Sequence, residues 1–186
     1  MKIAVLGWGS LVWKPEPMKL KDRWHFDGPM LPIELARISQ SSATKLERLT
    51  LVPYHGSKLI PVLWATAAHD DLGTAISNLA GREGCDCDNI GFISVSTREF
   101  HSPTIPEMHE DISWWAAKKN IDAAIWTDLP SNFFEKTKGV LTEYNVLEYL
   151  RKQDKRGNDE PKEYIQKAPK QIKTRLRDAI QRELGW

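Results

Sequence analysis

The residues whose types and spacing best suit chemistry lie in a glycine-containing turn close to the amino terminus. A short apolar run with the β-branched residues Ile3 and Val5 indicates a strand. The residues that follow it are Gly7, Trp8, Gly9, Ser10 and Leu11, referred to below as the 7–11 turn. Glycines allow positive φ and the close approach of a ligand, and successive N–H groups in such a turn bind oxygen anions. The 7–11 turn is a candidate oxygen-anion site, unless its glycines only turn a buried strand.

Three familiar motifs do not describe this turn. Val12 stands where the third glycine of the dinucleotide motif G-x-G-x-x-G would be, and the chain contains no Gly-Lys-Ser/Thr sequence of the phosphate-binding type. The residues around Ser10 do not form the G-x-S-x-G sequence of a hydrolase nucleophile, and no spacing singles out one of the histidines as its partner. A Ser-His-Asp hydrolase is therefore less favoured than the hypotheses below.

The composition is that of one ordinary globular domain. The chain has 186 residues, of which 41% are hydrophobic and 27% are charged, and its formal net charge is +1. Nucleic-acid-binding proteins usually carry a strong basic excess, so this charge does not indicate a polyanionic partner. No apolar run approaches the roughly 18 residues of a membrane span, and the start of the chain does not match a secretory signal. We expect a cytoplasmic protein, and no sequence feature indicates an oligomeric state.

The two cysteines, Cys85 and Cys87, are separated by a single residue. A disulfide over this spacing is strained, so free thiols in a reducing compartment are expected. The pair has no second pair of ligands with the spacing of a zinc site. The sequence predicts neither a metal nor a cofactor.

The elements that must position the turn alternate between strands and helices. Strands are predicted near residues 33–38, 49–52, 59–65, 90–95 and 121–126, the second and third of them as a hairpin. Apolar residues at helical spacing predict a helix that is capped by Asp70 and ends at Gly81 or just after Glu83, where Gly84 offers a left-handed cap. A second helix is expected from Pro106 to about Lys119.

The last third of the chain is predicted to contain two helices separated by a linker. Thr142 caps the first of them, residues 151–161 are nearly all polar and form an exposed linker, and an amphipathic helix follows Pro169. Basic residues occupy the polar face of this terminal helix: Lys170, Lys173, Arg175, Arg177 and Arg182. A solvated face is the ordinary meaning of such charges, and RNA binding is the alternative.

In their order along the chain, these features resemble the gamma-glutamylcyclotransferase-like superfamily. Its members carry a Tyr-Gly-Ser-Asn/Leu loop after the first strand and a glutamate after the helix that packs near this loop. Here the sequence Trp8-Gly9-Ser10-Leu11 is similar to the loop, and Arg82-Glu83-Gly84 ends the predicted helix before the next strand. The resemblance covers roughly residues 1–130.

The resemblance implies an α+β fold, with a small mixed β-barrel flanked by helices and a pocket at the mouth of the barrel. Residues 1–150 would form the gamma-glutamylcyclotransferase-like domain. The added C-terminal part, residues 151–186, would pack on the same domain as a polar linker and an amphipathic helix.

The resemblance also implies a reaction, in which a γ-glutamyl amide cyclises to 5-oxoproline and releases a free amine. Glu83 would be the general acid and base, and the N–H groups of Gly9, Ser10 and Leu11 would hold the glutamyl end, beside Gly7 and Trp8. One carboxylate suffices, because the same base can take a proton from the substrate's α-ammonium group and return it to the departing amine. No protein nucleophile is required, because the two reacting groups are tethered in one molecule.

One departure from the pattern keeps an alternative open. Trp8 stands in place of the tyrosine of the loop, so a phenolic hydroxyl is lost there, and nothing in the sequence places Tyr54 or Tyr144 in the pocket. The alternative is a non-catalytic protein that binds a small ligand or a partner with the same pocket. In that case Glu83 would lie exposed at a helix end.

Overall fold

Eight strands form two separate sheets. The computed structural model describes all residues, 1–186. Its strands are β1 (Ile3–Gly7), β2 (Met30–Gln40), β3 (Glu47–Pro53), β4 (Leu59–Pro61), β5 (Leu63–Thr66), β6 (Ile90–Ser94), β7 (Glu99–His101) and β8 (Ala123–Thr127). The larger sheet has the order β5-β1-β8-β6-β7, and the smaller one has the order β3-β2-β4. In the larger sheet β1 runs parallel to β8 and antiparallel to β5.

Six α-helices complete the α+β fold, which confirms the predicted fold class. They are α1 (Leu72–Glu83), α2 (His109–Lys118), α3 (Phe133–Thr137), α4 (Glu143–Lys155), α5 (Glu160–Lys167) and α6 (Arg175–Leu184). None of the six combines the length and the apolar character that crossing a membrane requires. The largest hydrophobic core includes residues from β1, β2, α4 and α6, so the C-terminal helices bury their apolar faces against the strands.

The prediction of a barrel is wrong in one respect, because the strands do not close. The chain passes from the smaller sheet to the larger one at Val62, between β4 and β5. The outer edge of β3 is occupied by side chains: the Leu51 N–H donates to Tyr164 Oη at 3.2 Å, and the Leu51 carbonyl accepts from Trp8 Nε1 at 3.2 Å. The N–H and carbonyl groups of one residue point to the same side of a strand. Because both groups of Leu51 are bonded to side chains, no further strand pairs with β3 at Leu51.

The predicted hairpin between the second and third strand segments is also wrong. Both β3 and β4 pair with β2, and they do not pair with each other. The reason is the length of β2, which spans 11 residues and offers its first part to β4 and the remainder to β3. Pro61 lies in an edge strand, where its missing N–H is tolerated.

The helix before Glu83 ends as predicted and begins one residue later than predicted. Asp71, not Asp70, is the N-cap of α1, and its Oδ1 accepts from the Thr74 N–H at 2.8 Å. Asp70 instead pairs with Lys21. Gly84 has φ 66° and ends the helix in the left-handed conformation, so Glu83 is its last residue.

The predicted exposed linker at residues 151–161 is replaced by helical structure. Helix α4 continues to Lys155, and α5 begins at Glu160. Most residues of the segment are exposed, as predicted, but Asn158 and Gln153 are buried and bonded to each other at 2.8 Å. The polar residues that suggest a linker therefore form a turn that packs on the domain, whereas the terminal helix α6 is confirmed.

Arg177 joins α5 to α6 through backbone carbonyls. Its guanidinium donates to four of them, at distances of 2.7–3.0 Å: those of Ile165, Ala168, Pro169 and Ile172. These carbonyls include groups at the end of α5 that have no partner within the helix. One half-buried side chain therefore fixes the C-terminal end of α5 on α6.

We expect Arg177→Gln to lower the free energy of unfolding by roughly 2–4 kcal/mol, because glutamine cannot reach four carbonyls and a charged donor is lost. The measurement is urea unfolding followed by circular dichroism. Arg175→Gln is the matched control: Arg175 is exposed and pairs only with Glu143, so its loss is expected to cost less than about 1 kcal/mol. Equal stability of the two variants would contradict the role of Arg177.

Candidate functional site

The 7–11 turn follows β1, which lies inside the larger sheet between β5 and β8. Neither Gly7 nor Gly9 has a positive φ, so the turn does not use the left-handed conformation that glycine allows. Close packing requires these glycines instead. A Cβ on Gly7 would lie 2.7 Å from the ring of Trp24, and one on Gly9 would lie 2.3 Å from Tyr164 Oη.

The turn presents backbone N–H groups that have no protein acceptor. The carbonyls of Gly9 and Ser10 accept from the N–H groups of Val12 (3.0 Å) and Lys14 (2.9 Å). The N–H groups of Gly9, Ser10 and Leu11 donate to no protein atom. Gly9 and Leu11 are buried, and buried backbone N–H groups in proteins almost always have a partner. These three groups are therefore available to an oxygen atom of a ligand.

Glu83 lies beside this turn, held there by its neighbour in sequence. Arg82 Nη1 donates to Glu83 Oε1 at 2.5 Å, while Glu83 Oε2 has no protein donor. Arg82 Nη2 donates to Ser10 Oγ at 3.3 Å and to the Lys14 carbonyl at 2.6 Å. The side chains of Arg82 and Glu83 are 8% and 17% exposed. Arg82 therefore links the carboxylate to the turn, and Glu83 is not an exposed residue at a helix end.

A cavity of about 280 Å³ contains all of the predicted site residues. Gly7, Trp8, Gly9, Ser10 and Leu11 line it together with Glu83. Its other walls come from β2, β3, the end of β8 and α5. The volume is close to the lower end of the range for small-molecule sites, so the cavity suits a ligand of about the size of a dipeptide.

Two further arginines give the cavity a cationic wall. Arg37 Nη1 donates to the Pro130 carbonyl at 2.7 Å, and Arg37 forms no salt bridge; burial lowers the pKa of its guanidinium. Arg48 Nη1 lies 3.5 Å from Glu160 Oε2, and Arg48 Nε is buried with no partner. A partly buried guanidinium without a carboxylate partner favours an anionic group in the ligand.

The cavity is lined by the predicted aromatic residue Trp8 and by a tyrosine that the sequence does not predict. The Trp8 ring is buried, and its Nε1 donates to the Leu51 carbonyl, so Trp8 forms part of the cavity wall. Tyr144 is 73% exposed, and neither it nor Tyr54 lines the cavity. The phenolic hydroxyl at the site comes instead from Tyr164 of α5.

Sequence reasoning missed Arg37 because of a β-bulge. Simple alternation along β2 groups Arg37 with the buried residues Ile33 and Leu35. The register with β3 shifts between Leu35 and Arg37, so one extra residue interrupts the alternation. Arg37 and Ser39 then line the cavity while Ile38 is buried.

Sequence reasoning also missed Tyr164, although a signal for its helix is present. Pro161 occupies the first turn of α5 after Asp159 and Glu160, a combination typical of a helix start. Tyr164 is the most distant cavity residue along the chain from the 7–11 turn. No local pattern links two segments separated by so many residues.

Other candidate groups lie outside the cavity. Cys85 and Cys87 are free thiols, and burial raises the pKa of the Cys85 thiol to about 11. No group of three or more His, Cys, Asp or Glu side chains is arranged to hold a metal ion. No histidine lines the cavity, and Ser10 Oγ contacts only Arg82, so a Ser-His-Asp arrangement is absent.

The basic residues of the terminal segment do not form one free cationic face. Arg177 is bonded to backbone carbonyls within the fold. Arg175 and Arg182 both pair with Glu143, at 3.2 and 3.4 Å. Lys170 and Lys173 are exposed. This arrangement favours a solvated, partly neutralised surface over an RNA-binding one.

Comparison of the chain with protein-family models, with curated proteins and with solved structures finds no match. The function must therefore be argued from the geometry of the site. Glu83, which has one carboxylate oxygen without a protein donor, lines the same cavity as Arg37 and the three turn residues whose N–H groups have no protein acceptor. Such a set can bind an oxygen-rich ligand and move one proton.

We expect Gly9→Ala to lower the free energy of unfolding by about 1–3 kcal/mol, because the new methyl group meets Tyr164 Oη at 2.3 Å. In the Tyr164→Phe background the nearest remaining atom is Cζ at 3.5 Å, so the same change should cost less. A double-mutant cycle from urea unfolding measures this coupling.

Gly81→Ala is the control for this cycle, because a Cβ at Gly81 meets no atom within 4 Å. Gly81 lies in α1, where replacing glycine with alanine is expected to raise the free energy of unfolding by about 0.5–1 kcal/mol. Additive effects of Gly9→Ala and Tyr164→Phe would show that the hydroxyl does not contact the turn.

Proposed function

We propose that this chain is a gamma-glutamylcyclotransferase-like enzyme that converts a γ-glutamyl amide into 5-oxoproline and a free amine. The observation that carries the proposal is the shared cavity: Glu83 lines the same 280 Å³ space as Gly9, Ser10 and Leu11, whose N–H groups have no protein acceptor. Arg82 contacts both of them. We further propose that the two sheets, joined at Val62, are an open form of the barrel that the resemblance implies.

The reaction needs a base and then an acid at one position. In the proposed mechanism Glu83 Oε2, which has no protein donor, accepts a proton from the substrate's α-ammonium group. The freed amine attacks the γ-carbonyl carbon and forms the C–N bond of the ring. Glu83 returns this proton to the departing nitrogen, and the original amide C–N bond breaks as the C=O bond re-forms. The ring nitrogen passes its second proton through Glu83 to the free amine, so that the products are the lactam and an ammonium ion. Atoms and charges balance without a protein nucleophile or a cofactor.

The backbone of the turn stabilises the charge that develops in this reaction. The N–H groups of Gly9, Ser10 and Leu11 have no protein acceptor. Donors that are already oriented toward an oxygen reduce the cost of forming negative charge on it, especially where water is excluded. In this proposal they bind the glutamyl end of the substrate and the carbonyl oxygen that becomes an oxyanion.

Arg37 supports the assignment of a glutamyl substrate. The α-carboxylate of a γ-glutamyl group needs a counter-charge once it leaves water, and Arg37 lines the cavity with no carboxylate partner. A guanidinium also matches the geometry of a carboxylate. The free thiols Cys85 and Cys87 favour a reducing compartment, the cytoplasm, for this activity.

A second candidate is a non-catalytic protein that binds a small anionic ligand in the same cavity. The observation that favours it is the ion pair of Arg82 Nη1 with Glu83 Oε1 at 2.5 Å. In this version Glu83 orients Arg82 for ligand binding and moves no proton. The two candidates differ in whether 5-oxoproline forms.

We expect the unmodified chain to release 5-oxoproline from γ-glutamyl amides and Glu83→Gln to lower kcat by at least about 100-fold, because the amide cannot act as a base. Product formation is followed by chromatography. Glu16→Gln is the control: Glu16 is an exposed glutamate that also lines the cavity, so this variant removes the same charge without removing the base. Turnover by Glu83→Gln at the original rate would exclude the proposed role, and binding without turnover by the unmodified chain would favour the second candidate.

We expect Arg37→Gln to raise KM by about 10- to 100-fold with little change in kcat, because a hydrogen bond to a charged group contributes roughly 1.5–3 kcal/mol. The measurement is steady-state turnover of a γ-glutamyl amide. Arg23→Gln provides the control, since Arg23 is exposed and does not line the cavity. An unchanged KM in the Arg37 variant would separate Arg37 from substrate binding.

A further inference from the structure

Tyr164 is a buried residue of the cavity that comes from outside the part of the chain covered by the resemblance. It lies in α5 and is 4% exposed. Its ring packs edge-on against Trp13, with centroids 5.3 Å apart, and the guanidinium of Arg48 lies 5.3 Å from its centroid. These contacts hold the ring in one orientation, so its hydroxyl has a fixed position.

The Tyr164 hydroxyl has a free proton. Its oxygen accepts from the Leu51 N–H at 3.2 Å, and no protein atom accepts a hydrogen bond from it. Burial raises the pKa of this phenol to about 12, so the hydroxyl stays protonated at neutral pH. A buried hydroxyl that accepts one bond and donates none can donate to a ligand.

The hydroxyl also lies at the 7–11 turn. A Cβ on Gly9 would be 2.3 Å from Tyr164 Oη, which places the oxygen against the turn whose N–H groups are free. Trp8 cannot supply this donor, because its only polar hydrogen is bonded to the Leu51 carbonyl. The free phenolic proton and the free N–H groups therefore belong to one corner of the cavity.

From this juxtaposition we infer that Tyr164 is a catalytic residue that donates its O–H to the carbonyl oxygen of the γ-glutamyl amide, together with the N–H groups of the turn. The role rests on the proposed function. As the substrate amine forms the new C–N bond, the π electron pair of the carbonyl moves onto oxygen, and the Tyr164 O–H bonds to this oxyanion. The proton remains on Tyr164, and the bond weakens again when the C=O re-forms and the amine departs.

The variant that tests this role is Tyr164→Phe, assayed with a γ-glutamyl amide. We expect kcat to fall by roughly 100- to 1,000-fold, as for the loss of one oxyanion donor, while KM changes by less than about 3-fold. Tyr149→Phe is the control. The Tyr149 hydroxyl is also buried and has no hydrogen-bond partner, but Tyr149 lines a different cavity. Circular dichroism at the assay temperature verifies that both variants are folded.

A second measurement keeps the Tyr164 side chain. It therefore tests whether the Tyr164 hydroxyl donates to the substrate carbonyl even if Tyr164→Phe does not fold. The chain is labelled with ¹³C at tyrosine Cζ, which gives one signal for each of its four tyrosines. The probe is 5-oxoproline, whose lactam carbonyl stands for the substrate carbonyl, titrated into Glu83→Gln. We expect the Tyr164 signal to shift with saturation and the Tyr149 signal to remain in place.

The outcomes separate the two proposals. If the unmodified chain does not turn over any γ-glutamyl amide, the proposed function fails, and the catalytic role of Tyr164 fails with it. If the unmodified chain is active and Tyr164→Phe retains its kcat, only the role of Tyr164 is overturned. An effect on KM alone, an equal loss of activity in Tyr149→Phe, or a Tyr164 signal that does not move when 5-oxoproline binds would also overturn it.

Discussion

The backbone of Leu51 connects the parts of the molecule on which the site depends. Its N–H donates to Tyr164 Oη and its carbonyl accepts from Trp8 Nε1, both at 3.2 Å. The two bonds lie on the same edge of β3, and each satisfies a buried group that would otherwise cost about 1–3 kcal/mol. One residue in the smaller sheet therefore holds both the 7–11 turn and α5 at the same strand edge.

This arrangement explains why an open pair of sheets contains a cavity. In a closed barrel, a strand would occupy the edge of β3 and its side chains would fill the interior. Here the side chains of Trp8 and Tyr164 occupy the edge at Leu51. The space beyond them stays open between the sheets, and Glu83 and the 7–11 turn both border it. The feature that makes the barrel prediction wrong is thus the one that creates room for a ligand.

The parts of the site that follow from local signals could be predicted from the sequence. The 7–11 turn follows an apolar run, and Gly84 ends α1 and so places Glu83 at its end. The remaining parts depend on long-range packing. Arg37 reaches the cavity through a bulge that no residue pattern marks. Tyr164 is brought there by α5, which begins within the polar stretch 151–161, the predicted linker. A polar composition indicates that the residues of a segment are exposed on average. It does not show whether that segment forms a helix that packs against the edge of a sheet.

The Arg82–Glu83 ion pair is compatible with a base as well as with a binding role. Arg82 engages only one carboxylate oxygen, and its other contacts, to Ser10 Oγ and the Lys14 carbonyl, fix the guanidinium against the turn. A carboxylate that is held through Oε1 presents Oε2 in a defined direction, and proton transfer uses only one oxygen. Because productive geometry must be held closely, a partner that fixes Oε1 would also orient the base of the proposed mechanism. The guanidinium that pairs with Glu83 is the same group that contacts the 7–11 turn.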